Sequence, residues 1–221
     1  MTERIAIVDY GAGNLTSVLK AFAHVGADAT LARRPEDLRQ AAGIVVPGVG
    51  HFSATRALDA PWRDAVRAAL GAGRPLLGIC LGMQWGFEGS EEALDVPGLG
   101  LFRGRSARLT GPVKVPHIGW NTLELRRRAP IVEGVADGAS VYFVHSYAVP
   151  VGPETVAVTT HGWAFASVVA GEGVYGVQFH PEKSGPAGLR MLANFVALVR
   201  ASRRAAARGG SDPDARAGAA G

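Results

Sequence analysis

Pro75-Leu-Leu-Gly-Ile-Cys-Leu-Gly-Met-Gln84 decides how this chain is read. A short continuous apolar run enters Gly78-x-Cys80-x-Gly82, and helix-forming residues follow. A strand that turns sharply into a helix through such a sequence has the form of a nucleophile elbow, here with cysteine at its apex. Glycines two positions before and after the apex permit the turn and let neighbouring backbone come close. The turn pushes the sulfur out at the strand tip, toward the N–H groups that open the helix, an environment that favours thiolate. The competing reading is a buried, inert thiol, the common fate of a lone cysteine. Cys80 is the only cysteine in 221 residues, so an internal disulfide and a cysteine-built zinc cluster are both excluded.

Outward from the elbow, Arg4-Ile-Ala-Ile-Val-Asp9 and Gly43-Ile-Val-Val46 are further short apolar runs with amphipathic stretches between them. Asn14 is placed to cap a helix carrying Leu15, Val18, Leu19 and Phe22, and Pro61 suits the first turn of one carrying Val66 and Leu70. This alternation predicts an α/β fold: an open, mostly parallel sheet flanked by helices, with the active site beyond the carboxyl ends of its strands. From about residue 99 to 179 the texture changes. Ser140-Val-Tyr-Phe-Val144 and Thr155-Val-Ala-Val158 predict an additional antiparallel portion. Ala187 to Arg200 is the last expected helix, with Leu189, Leu192, Phe195 and Val196 on one face. One domain over 1–202 and a disordered basic tail over 203–221 are expected.

The charge supports that division. Hydrophobic residues are 48% and charged residues 19%, which excludes a disordered chain as a whole. The net charge is +4, but residues 200–221 hold five arginines against two aspartates, leaving +1 for the rest. The basic character belongs to the tail and does not mark a nucleic-acid-binding face. No apolar run reaches 18 residues and Met1-Thr-Glu-Arg-Ile5 opens no secretory segment, so neither a membrane span nor export is expected. With a lone thiol, this fits a reducing cytoplasm.

A thiolate nucleophile needs a base and a group that orients the base. Gly176-Val-Gln-Phe-His-Pro-Glu182 offers both: residues i and i+2 of an extended segment share a face, so His180 and Glu182 can stand side by side. The carboxylate would fix the imidazole tautomer and stabilise its cation. The alternative is a solvated strand end. Ile44-Val-Val-Pro-Gly-Val-Gly50 is another strand running into a glycine loop whose N–H groups can face a developing oxyanion, unless it is only a tight turn. His145 is the main rival base, though a buried structural histidine is the simpler reading. His51 and His117 are expected in loops beside glycines, where they could line a site or an interface. No histidine pair has metal-ligand spacing, so no metal is expected. Asp9-Tyr-Gly-Ala-Gly-Asn-Leu-Thr16 mimics a dinucleotide fingerprint but lacks the third glycine and the acidic residue after the second strand, so no such cofactor is expected either. Arg126-Arg-Arg128 reads as a solvated hairpin tip.

Gly78-Ile-Cys-Leu-Gly-Met-Gln84 together with Gln178-Phe-His-Pro-Glu182 resembles the class I, triad-type glutamine amidotransferases. More narrowly, Val8-Asp-Tyr-Gly-Ala-Gly-Asn14, Pro47-Gly-Val-Gly-His-Phe52, Pro116-His-Ile-Gly-Trp-Asn121, Tyr142-Phe-Val-His-Ser-Tyr147 and Gln178-Phe-His-Pro-Glu-Lys-Ser184 are similar to the glutaminase subunits of imidazole glycerol phosphate synthase, over roughly residues 4–200. The resemblance implies a Cys80, His180, Glu182 triad and an oxyanion site of Val49, Gly50 and the Leu81 N–H. It implies glutamine contacts at Gly48, Gln84, Ser146 and Tyr147. It also implies a (β/α)8-barrel cyclase as partner in a heterodimer, met through Asn14, Trp120, Tyr142 and Lys183. Trp85-Gly86 departs from the family pattern, and Gly86 is expected to weaken the helix there by about 1 kcal/mol.

Overall fold

The computed structural model describes residues 3–209. Among the described residues fourteen strands form: β1 Ile5–Val8, β2 Ala29–Ala32, β3 Gly43–Val46, β4 Leu76–Ile79, β5 Gly89–Ser90, β6 Ala93–Pro97, β7 Arg105–Arg108, β8 His117–Thr122, β9 Glu124–Leu125, β10 Ser140–His145, β11 Tyr147–Ala148, β12 Thr155–His161, β13 Trp163–Gly171 and β14 Val174–Val177. The α-helices are α1 Leu15–His24, α2 Ala60–Gly71, α3 Leu81–Trp85 and α4 Gly185–Gly209. The main sheet has the order β2-β1-β3-β4-β14-β13-β12-β9, parallel from β2 to β14 and antiparallel beyond. A β10–β8 ribbon and a small sheet ordered β11-β7-β5-β6 stand apart from it. This is the expected mixed α/β architecture.

The parallel strands read as unbroken apolar runs because both of their faces are covered. Alternate residues sort into two cores. Ile5, Ile7, Val45, Leu77 and Ile79 pack with Phe22 of α1 and Phe195 of α4. Ala6, Val8, Ile44, Val46 and Leu76 pack with Trp62 and Val66 of α2. Burying side chains of this size contributes roughly 1.5–3 kcal/mol each. Local signals start the helices: the Asn14 side chain accepts from the Ser17 N–H at 3.2 Å, and Asp59 accepts from Trp62 N–H at 3.5 Å with Pro61 in the first turn.

Three expectations need correction. The last helix does not end near Arg200 but continues through Gly209, so residues 203–209 are helical where disorder is expected. Ala205-Ala-Ala207 explains this, since alanine has the highest helix propensity. The remainder of the expected tail, 210–221, lies outside the described residues. Arg126-Arg-Arg128 is not a hairpin tip; the Arg127 guanidinium donates to the carbonyls of Thr155, Glu154 and Ala170 at 3.2, 3.1 and 2.6 Å, clasping two strands. Gly86 does not weaken a helix interior, because α3 ends at Trp85 and Gly86 is its cap. Among the described residues, no helix is long and apolar enough to cross a membrane.

The decisive local feature is the close approach at the elbow. A Cβ on Gly82 would collide with the Val46 carbonyl, and one on Gly78 would lie 2.7 Å from the Gly82 carbonyl and Met83 backbone. Gly82→Ala is therefore expected to destabilise the fold by about 1–3 kcal/mol. Gly71→Ala, which meets open space at the end of α2, should change stability by less than about 1 kcal/mol. Urea unfolding of both variants checks the contrast.

Candidate active site

Cys80 follows β4 directly, and residues 178–180 follow β14. The two strands are parallel neighbours in register, with Ile79 opposite Val177, and Cys80 N–H donates to the Val177 carbonyl at 2.7 Å. Segments nearly a hundred positions apart thus leave the sheet at one edge, side by side. Cys80 sits in a left-handed conformation, φ +52° and ψ −108°, the only such non-glycine residue described. Backbone strain of this kind persists only where the surroundings hold it, here the contacts of Gly78 and Gly82.

His180 and Glu182 meet: imidazole Nδ1 lies 3.0 Å from a Glu182 carboxylate oxygen, with the two side chains 3% and 1% exposed. The pairing forms differently from the extended spacing expected. His180 is extended, but Pro181–Lys183 is a turn of 3₁₀ helix that carries Glu182 back under the ring. His180 Nε2, the nitrogen left for the sulfur, has no hydrogen-bond partner here. Burial alone would push the imidazolium pKa down; the Cys80 sulfur beside it and then the Glu182 carboxylate outweigh that and raise it to about 10.

Gln178 also stands beside the sulfur, although it is not among the expected site residues. It is fully buried, and its Nε2 donates to Cys80 Sγ at 3.5 Å. A signal for it exists, since it stands two residues before His180 in the strand alternation used for Glu182. Gln178 Oε1 accepts from Gln84 Nε2 at 3.0 Å, and Gln84 Nε2 also donates to the Tyr147 carbonyl at 2.8 Å. Gln84 therefore spends its amide hydrogens on the protein and braces the wall.

A cavity of about 240 Å³ opens over the sulfur. Gly50, Leu81, Gln84, Ser146 and Tyr147 line it with Cys80, as do Glu92 and His145. Glu92, like Gln178, escapes the sequence reading; a carboxylate far from any motif gives no local signal. Gly50 holds φ +98°, open only to glycine at low cost, and Val49 is 38% exposed. The Leu81 N–H is not free: it donates to the Gly48 carbonyl at 3.4 Å, so the loop's own oxygen covers that donor.

His145 is buried with both nitrogens engaged, Nδ1 with the Tyr147 carbonyl at 2.9 Å and Nε2 with His117 Nδ1 at 3.1 Å. Burial holds its pKa down at about 3, so the ring is neutral, and with both nitrogens engaged it has no free lone pair for a proton from the sulfur. His117 is not in a loop as expected. It opens β8, is buried, and stacks on His161 at 4.1 Å, with its pKa lowered to about 4 by burial and then by that neighbour. His51 is exposed and caps a 3₁₀ turn.

The expected interface residues stand on β8, β10, the Pro181–Lys183 turn and the start of α1. Trp120 on β8 is 59% exposed and meets the Tyr142 ring of β10 edge-on at 6.0 Å, and Lys183 Nζ stands 5.8 Å over Tyr142. Asn14 caps α1, the helix that packs against the Pro181–Lys183 turn.

The profile of the class-I glutamine amidotransferase family matches residues 6–199. The chain belongs to that family. Within it, the chain is 49% identical over 204 residues to the imidazole glycerol phosphate synthase subunit HisH of Natronomonas pharaonis, covering 88% of this chain and 94% of the relative. It is 51% identical to the protein of the same name from Halobacterium salinarum, covering 87% and 92%. The Thermococcus kodakarensis protein of that name is 49% identical, covering 88% and 100%. The chain thus belongs with the HisH proteins. The fold agrees with that of a putative GMP synthase protein from Thermoplasma acidophilum, at TM-score 0.69 and 19% identity over 93% of this chain and 98% of that one.

Replacing Glu182 with Gln should lower the His180 pKa from about 10. A folded-state pKa raised above the ordinary 6.5 contributes stability that is fully present below pH 6.5 and lost as pH rises through about 10. In the variant, unfolding free energy should therefore decline less steeply across that window. Imidazole NMR titration with urea unfolding at pH 6.5 and 10 measures both.

Proposed function

We propose that this chain is the glutaminase subunit of imidazole glycerol phosphate synthase, hydrolysing glutamine to glutamate and ammonia. The observation that carries the reading is the strained Cys80 on the wall of a small cavity, backed by a buried His180–Glu182 pair, in a chain about half identical to HisH proteins.

Glutamine lies with its carboxamide over Cys80, its chain along Ser146 and Tyr147, and its ammonium toward the Glu92 carboxylate. The thiolate attacks the carbonyl carbon. His180, as imidazolium, protonates the departing nitrogen, and ammonia leaves behind a γ-glutamyl thioester. Neutral His180 then takes a proton from water, and the hydroxide releases glutamate. Glu182 keeps the imidazole oriented and stabilises its cation. Gln178 Nε2 assists by donating to the sulfur. Backbone N–H groups of Leu81 and of Val49 or Gly50 hold the tetrahedral oxyanion.

That last role requires a rearrangement, because Leu81 N–H is covered by the Gly48 carbonyl. A closed donor suits an enzyme that should not waste glutamine while unpaired. The partner we propose is a (β/α)8-barrel cyclase, which uses the ammonia on a phosphoribulosyl imidazole-carboxamide and forms imidazole glycerol phosphate and aminoimidazole carboxamide ribotide. It docks on Trp120, Tyr142, Lys183 and Asn14, and its liganded form shifts the loop toward the open state. The aromatic, partly exposed patch is suited to such an interface. His180 N–H donates to the Tyr142 carbonyl at 2.9 Å, so the patch and the base share a backbone contact. The heterodimer works in the cytoplasm, where the free thiol stays reduced.

Cys80→Ala should abolish glutamine hydrolysis, by a factor on the order of 10³ or more, in the presence of cyclase and its substrate. Full activity of that variant in a coupled glutamate assay would refute the assignment. Trp120→Ala should weaken association with the cyclase by about 1–2 kcal/mol and leave the melting temperature unchanged. Calorimetric titration reads the former.

A further inference from the structure

Tyr10 stands beside the elbow and has no part in the proposed glutamine chemistry. Its hydroxyl is buried and has no hydrogen-bond partner. Burial, and then the nearby Cys80 sulfur, push its pKa well up, so the phenol keeps its proton and is a donor in search of an acceptor. Buried polar groups without partners are rare because they cost free energy, and one beside an active site asks for a second state that supplies the partner.

The neighbouring backbone identifies that acceptor. The hydroxyl occupies the place that a Cβ on Gly48 would take, so it rests directly against the glycine. The Gly48 carbonyl is the oxygen that covers Leu81 N–H, through a long 3.4 Å contact. With no Cβ at position 48, the peptide after it can turn without striking Tyr10. Tyr10 also rides on the loop that ends at Asn14, and a Cβ on Gly13 of that loop would lie 3.7 Å from Gly48 Cα. The loop carrying the donor is packed on the loop carrying the acceptor.

We propose that Tyr10 is a positioning residue of the oxyanion loop: its hydroxyl donates to the Gly48 carbonyl once that carbonyl leaves Leu81 N–H, which frees the amide for the substrate oxyanion. This rests on the glutaminase reading above. The exchange is one hydrogen bond for another. The state with Leu81 covered leaves Tyr10 unpaired; the state with Tyr10 paired leaves Leu81 open to substrate. A partner that presses on the Asp9–Asn14 loop would bias this exchange without touching the sulfur.

The test is Tyr10→Phe, which removes only the oxygen. In the complex with cyclase and its substrate, kcat for glutamine should fall about five- to tenfold, the worth of one hydrogen bond, with KM within twofold. Iodoacetamide alkylates a thiolate by displacement at carbon and develops no oxyanion, so its rate with Cys80 should stay within twofold, as should the melting temperature within a degree or two. Unchanged kcat would overturn the proposal. A changed alkylation rate would place the hydroxyl's effect on the sulfur instead, and a fall in melting temperature with kcat and KM moving together would make Tyr10 merely structural; either outcome also overturns it. Failure of the wild-type complex itself to hydrolyse glutamine would defeat the underlying reading, a result distinct from a defect confined to the variant.

Discussion

The parallel pairing of β4 with β14 is the constraint on which the site depends. It places Ile79 opposite Val177, so the residues just beyond each strand emerge together at one edge. Parallel neighbours require a long connection, and here it holds most of the second half of the chain. That length serves the site: β10 and β11 lie within it and supply the Val144–Tyr147 wall opposite the sulfur. A slip of one residue in this pairing would turn Gln178 and His180 away from Cys80 and toward the opposite core.

The elbow itself is a packing problem solved with glycine. Gly78, Gly82 and Gly48 each stand where another atom fills the space a side chain would need: α3 backbone, the Val46 carbonyl, and the Tyr10 hydroxyl. These contacts press β3, β4 and the start of α3 together, and Cys80 takes the left-handed conformation that closes the turn. The strain therefore sits on the residue whose sulfur must project. Polar groups of the same layer are mutually engaged, from Gln178 through Gln84 to Tyr147 and His145. Such a connected network fixes one arrangement, because loosening any member leaves buried partners unsatisfied.

The fold and the Cys80, His180 and Glu182 positions are legible in the sequence because each rests on local pattern: continuous apolar runs, paired glycines, a His-x-Glu spacing. His180 and Glu182 meet as their spacing suggests but not along a strand, since a 3₁₀ turn brings Glu182 to the ring. Arg127 is misread because charge in a run looks solvated, while its three carbonyl partners come from strands almost thirty residues or more away. Glu92 is invisible for the same reason: its place on the cavity depends on the small sheet's pairing, not on its neighbours in sequence. The end of α4 is misjudged when the absence of core-forming residues is weighed over the helix propensity of an alanine run.

The state of the Leu81 amide bears on how an amidotransferase of this design is held in check. A hydrogen bond at 3.4 Å is at the weak end of the range, worth no more than about 1 kcal/mol net. A closed state kept by so slight a bond is only modestly favoured by it. A partner that binds the open loop better by about 1.4 kcal/mol shifts the ratio of the two states tenfold. In the proposed mechanism, catalysis then rises without any movement of the His180–Glu182 pair, which is already formed. Under the proposed mechanism, control at the Leu81 amide rather than at Cys80 spares the buried imidazole–carboxylate pair any movement. Such movement would be costly, because separating those two side chains would strand a charge among buried groups. A peptide beside a glycine turns far more cheaply, and in this fold that peptide lies where the chain can be reached from outside, next to the exposed Val49.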